Sequence, residues 1–202
     1  SSEASSVASS EASSVASSEA SVSSEASSAA VANYTFNGGI ATLWAELKAD
    51  CPADAATTTD ITAKTFTGVV TFLKSYVDSG TGATNVSEFV VQDMNAAVIV
   101  YPTNKIAASA VAVGSKYEFT ATQGKNYHGI YEVTGLSANT FSALATGISL
   151  YVVNDTPTMA LYDSYGPRLY SFQTGITTAP TSFGYGTFST GVYYRVNKND
   201  TA

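Results

Sequence analysis

Charge is what this chain has least of. Only 12% of its 202 residues are Asp, Glu, Lys or Arg, against about 25% in an ordinary soluble domain. Its surface must therefore be covered largely by Ser, Thr, Asn, Gly and Tyr, as is common in extracellular and assembled proteins. Bases are the scarcer sign: nine Lys and Arg stand against sixteen acids, for a formal charge of −7. The first 33 residues hold four acids and no base, and the remainder is acidic too. Affinity for a phosphate backbone rests chiefly on clustered Lys and Arg, so a nucleic-acid partner is disfavoured. A single cysteine, Cys51, excludes an internal disulfide. A single histidine, His128, leaves Ser-His-Asp, Cys-His and His-based metal sites with one base between them. That residue lies in a strand-like Asn-Tyr-His-Gly context, where a structural or surface role is the plainer reading. No apolar run reaches the roughly 18 residues that cross a bilayer, and no charged-then-apolar leader is present. An exported form would thus be the mature one. Paired carboxylates, a Walker sequence and a dinucleotide fingerprint are absent, and Gly184-Tyr185-Gly186 is too short for a phosphate loop. No catalytic, cofactor-binding or metal-ligating residue is assigned, and no cofactor is expected.

Residues 1–33 form a low-complexity segment of Ser, Ala, Glu and Val. Ser-Glu-Ala-Ser-Ser-Val-Ala-Ser recurs from Ser2 and from Ser10 and then decays. Read as a helix, Ala4, Val7, Ala8, Ala12, Val15 and Ala16 make a narrow apolar stripe. Ala and Val bury too little area to offset the cost of ordering the chain. A flexible Ser-rich tether is the favoured reading, and a segment ordered by a neighbouring copy is the other. Its Ser hydroxyls are candidate O-glycan sites.

Residues 34–135 read as one domain. From Asn37 to Asp50, the residues Ile40, Leu43, Trp44 and Leu47 at i, i+3, i+4 and i+7 predict a short amphipathic helix stopped by Pro52. Trp44 reads as a core anchor and Cys51 as a semi-buried small residue. Thr62 to Leu73 is a long β-branched and aromatic run, with Gly68 where a strand would bend. Ser87 to Asp93 and Ala97 to Tyr101 predict strands two and three, with Asp93 in an Asx-type turn. Asp78 to Asn85 is the polar loop before them. Asn104 to Ala112 predicts a short helix whose Ile106, Ala107, Ala110 and Val111 share a face. Tyr117 to Thr122 and Tyr131 to Thr134 predict strands four and five around a turn at Gln123-Gly124-Lys125-Asn126. Val69, Val91, Ile99, Phe119 and Val133 are the expected core.

The fold class is therefore mainly β: a five-stranded barrel of the oligonucleotide/oligosaccharide-binding (OB) type, a preceding short helix, and a C-terminal β-rich extension over 136–202. The order Gly-Val-Val, Phe-Val-Val-Gln-Asp, Val-Ile-Val-Tyr, then Val113 to Phe119 and Tyr127 to Val133 resembles extracytoplasmic OB-fold domains of bacterial surface lipoproteins and secreted proteins. The resemblance covers roughly residues 38–135. It implies a binding or scaffolding module, sometimes fused to nuclease domains, with no catalytic residues to transfer.

In the extension, Ile148 to Val153, Met159 to Tyr162, Arg168 to Gln173 and Gly191 to Val196 predict strands, with Gly184 and Gly186 between them. These strands either pack on the barrel or are offered to another subunit. Aromatics are plentiful on the candidate barrel strands: Phe72, Phe89, Tyr101, Tyr117 and Tyr131. Lys64, Lys74, Lys116 and Lys125 are scattered and outweighed by acids, so core aromatics and solubilising lysines are expected. The expectation for function is a non-enzymatic extracellular or cell-surface structural protein whose copies assemble into a fibre or layer. The alternative is a surface-tethered module that binds an oligosaccharide or single-stranded nucleic acid.

Overall fold

In a computed structural model of the chain, the described residues are 39–51, 57–171 and three short strands between 176 and 196. The N-terminal repeat and Pro52 lie outside them. Helix α1, Ile40–Asp50, turns Ile40, Leu43, Trp44 and Leu47 inward, and all four are buried. Each such burial contributes about 1.5–3 kcal/mol. The helix ends where Cys51 turns extended (φ −95, ψ 106), the conformation that a following proline favours.

Five strands follow: β1 (Thr59–Val77), β2 (Thr84–Gln92), β3 (Ala97–Val100), β4 (Lys116–Tyr127) and β5 (Ile130–Leu136). They are hydrogen-bonded in the order β1-β2-β3-β5-β4, and β1 closes the sheet by pairing with β4 as well as β2. Only β3 and β5 run parallel. The 19-residue β1 serves both neighbours in turn, β4 through Val69 and β2 from Val69 onward. Gly68 sits at that handover. A Cβ there would lie 2.5 Å from Val91 Cγ1 and 2.9 Å from Ile40 Cδ1, so only glycine lets the bent strand, β2 and α1 meet. Gly124 does the same for Leu47, whose Cδ2 would be 2.3 Å from an added Cβ. The closed sheet holds Phe66, Phe89 and Phe119, the last with its ring centroid 5.4 Å from each of the others.

The expected core holds at Val69, Val91, Phe119 and Val133. Ile99 is the exception and is half-exposed, because Val98 and Val100 on either side take the inward positions opposite Val91 and Phe89. Strand β4 is longer than expected: it runs through Gln123 to Asn126, and the turn falls at His128 and Gly129, both with positive φ (51 and 90). Two such residues are what a two-residue hairpin of the favoured handedness needs. Between β3 and β4 only a single 3₁₀ turn forms, Ala108–Ala110, although Ile106 and Val111 are buried as the shared face predicted.

The extension departs most from expectation. Met159 to Tyr162 is not a strand but the start of helix α2, Met159–Tyr165. Thr158 caps it, its Oγ1 accepting from Leu161 N, and Gly166 ends it just before Pro167. Ile148 to Val152 is irregular; only β6 (Val153–Asn154) and β7 (Tyr170–Ser171) pair, in parallel. Gly184 and Gly186 lie inside a strand, β9 (Gly184–Phe188), between β8 (Ile176–Thr178) and β10 (Tyr193–Val196). The span 148–171 packs on the closed sheet. Ile148 covers Val69, and buried Gln92 holds both passes of the strap: its Nε2 donates to Tyr151 O (3.0 Å) and its Oε1 accepts from Leu169 N (2.7 Å). Trp44 Nε1 donates to Asp163 O (2.9 Å). A Cβ on Gly166 would come within 2.0 Å of Ala97 O.

Candidate functional site

One face of the sheet gathers side chains that the core does not use. Partners across strands share a face, and the register carries one row from Phe72 through Val90, Ile99 and Glu132 to Lys125. The period of two adds Lys74, Glu88, Tyr101, Tyr127 and Ile130. Phe72 (47%), Tyr101 (44%), Tyr127 (47%) and, near the end of β1, Tyr76 (43%) keep nearly half of their surface in water. The aromatics-as-core expectation thus divides. Phe89 and Tyr117 are buried and Tyr131 packs against the core, whereas Phe72 and Tyr101 stand on the outer face. Tyr76 and Tyr127 were not singled out by sequence; the alternation of β1 and the true length of β4 are the signals that would have found them.

Lys125 holds the middle of this face. Its ammonium lies 5.0 Å from the Tyr127 ring centroid and 5.6 Å from that of Tyr101, within the range of a cation–π contact. Glu132 pairs with it at 3.3 Å. Burial pushes the Glu132 carboxyl above its ordinary range and neighbouring Glu88 adds to this, while Lys125 opposes both. Lys74 pairs with Glu88 at 3.5 Å. At the rim, Lys105 binds Asp78 Oδ2, and Asp78 Oδ1 accepts from Gly80 N and Thr81 N, both at 3.0 Å. These partners draw the Asp78 carboxyl down to about 2. Each of the three lysines on and around this face is therefore matched by a carboxylate.

A cavity of about 310 Å³ opens beside Tyr101, lined by Tyr76, Val86, Ser87 and the 102–105 segment. The expected loop between strands one and two, now confined to 78–83, stands at its edge through the Asp78–Lys105 pair.

The other residues singled out by sequence lie elsewhere. His128 is in the β4–β5 turn with its ring 4.4 Å from that of Tyr127. Cys51 is buried against α1 and β4, and desolvation raises its thiol, which suits an inert side chain. Asp93 makes the expected Asx turn, accepting from Asn95 N (2.7 Å) and Ala96 N (2.8 Å). Lys64 pairs with Glu46 of α1 at 3.3 Å. Among the described residues, no group of three or more His, Cys, Asp or Glu is placed to hold a metal ion, and no helix is long and apolar enough to cross a membrane. Comparison with known protein families, with curated proteins and with solved structures finds no match.

Proposed function

We propose that this chain is a non-catalytic binding module of the extracellular or cell-surface kind, built on an OB-type barrel. On this reading, the outer face that carries Phe72, Tyr76, Tyr101 and Tyr127 takes a neutral oligosaccharide. The strand order β1-β2-β3-β5-β4 closed by β1 supports the OB reading, as does the likeness of residues 38–135 to extracytoplasmic OB domains. OB barrels bind oligonucleotides and oligosaccharides across the same face. The observation that decides between those two is charge: Lys74, Lys105 and Lys125 are each spent on a carboxylate. A phosphate backbone finds no surplus of positive charge there, whereas sugar rings stack on aromatics without needing any. A neutral-glycan array probed with the purified protein tests the reading, with Tyr101→Ala as control. Signal for a glycan that the variant loses is expected. A single-stranded oligonucleotide should bind more weakly than about 10⁻⁵ M at physiological salt, and sub-micromolar binding to it would overturn the choice of ligand.

The assembling structural protein is the second reading. Low surface charge and the surplus strands β8, β9 and β10 favour it; the N-terminal repeat on which it also leans lies outside the described residues. Deleting residues 1–30 should then leave a folded chain that no longer forms the particles the full-length protein shows by negative-stain microscopy.

A further inference from the structure

The cavity beside Tyr101 has a back wall. After β3 the chain stays with β5, where Tyr101 N donates to Val133 O (2.8 Å) and Thr103 uses both its N–H and its hydroxyl on Thr134 O (2.9 and 3.0 Å). It then crosses to β2, where Val86 N donates to Ile106 O (2.8 Å) and Asn85 bridges Ala107. The 102–105 segment is thus a short bow pinned at both ends. Lys105 fastens it to Asp78 and so to the β1–β2 turn. Toward the middle of the face no such wall is built: Tyr101 itself is the lip, and Lys125 and Tyr127 lie beyond it. The space, about 310 Å³, is at the small end of the roughly 300–1,000 Å³ usual for ligand pockets. It suits one terminal ring, with the pinned 102–105 segment as its wall. Its lining offers hydroxyl and amide partners from Ser87 and Asn104 between the two tyrosines, with the Thr103 oxygen left to accept while its proton goes to Thr134 O, the groups that a polyhydroxylated ring needs.

Resting on the glycan reading above, we infer that the module recognises the end of a glycan chain. The terminal sugar enters the cavity between Tyr76 and Tyr101, and the following units pass over Lys125 toward Tyr127. Tyr76 is the residue that sets this specificity, and the Asp78–Lys105 pair is the stop that positions it.

The test takes a glycan that scores on the array and measures binding by calorimetry over a length series of it, up to the long polymer. One protein per chain is expected at every length. Tyr76→Ala should weaken binding about tenfold or more for short and long ligands alike, the loss typical of one stacked ring. Tyr127→Ala should weaken only the longer ones. Copies bound per chain that rise with length, or a Tyr76→Ala variant that binds as wild type does, overturn end recognition while leaving the glycan reading standing. No binding to any neutral glycan on the array overturns both.

Discussion

The two sides of the closed sheet use the same residue types for opposite ends. On the α1 side, Trp44 stacks edge to face on Tyr131 and on Tyr162 of the 148–171 strap, 5.4 Å from each. On the outer face, Phe72, Tyr76, Tyr101 and Tyr127 lie open beside paired charges. Trp44 is almost wholly covered, whereas each ring of the second set is covered within the described residues on little more than half of its surface. The difference teaches that closure of the sheet and cover by a late segment of chain, and not residue type, separate core from candidate site here.

That contrast is broken most severely from inside. Val91→Asp places an unpaired charge in the core, costing several kcal/mol against a total stability of about 5–15. Loss of the cooperative thermal transition is expected, and a melt matching wild type would remove the barrel assignment. Gln92→Ala attacks the strap, at the end of the outer face that the strap covers. It leaves Tyr151 O and Leu169 N without their partner, at about 1–3 kcal/mol each. Limited proteolysis should then cut first within 148–171 while the closed sheet stays protected.

Tyr162 sharpens the comparison through pH. Burial raises its phenol to about 12 from an ordinary 10.0, so the folded state resists an ionisation that the unfolded state accepts. Its contribution is complete below pH 10 and is lost as pH rises through about 12, amounting to about 2–3 kcal/mol. Tyr162→Phe should show a shallower loss of stability between pH 10 and 12 than wild type. Parallel curves would mean that the strap does not hold this ring dry. The smallest effect belongs to the open side: Tyr101→Ser, which removes a half-covered ring and its contact with Lys125, should cost no more than about 1–2 kcal/mol. A larger loss by denaturant melt would show that the outer face is covered after all.

What could be read from the chain alone is what local periodicity and chain length dictate. The spacing of Ile40, Leu43, Trp44 and Leu47 fixes α1, and the β-branched runs around Gly68, Phe89, Val98 and Phe119 fix four strands, because each pattern has only one face to bury. The Asx turn at Asp93 and the scarcity of bases were equally plain. The turn at His128-Gly129 was missed because Gly124 looks like a turn residue. Its real reason is that Leu47 needs the room, a contact between residues 77 positions apart. Likewise, α2 carried its own start and stop in Thr158, Gly166 and Pro167, but the apolar Met159 to Tyr162 run reads equally well as a strand. Propensity cannot settle so short a segment, and docking on Trp44 and Ala97 does. The candidate site lay furthest from view. Alternation says that Phe72 and Tyr101 face opposite to their neighbours, yet which face is inside depends on closure of the sheet, and the matching of Lys125 to Glu132 depends on β4–β5 register. Both are properties of strands brought together across the fold, so only the tertiary structure decided them.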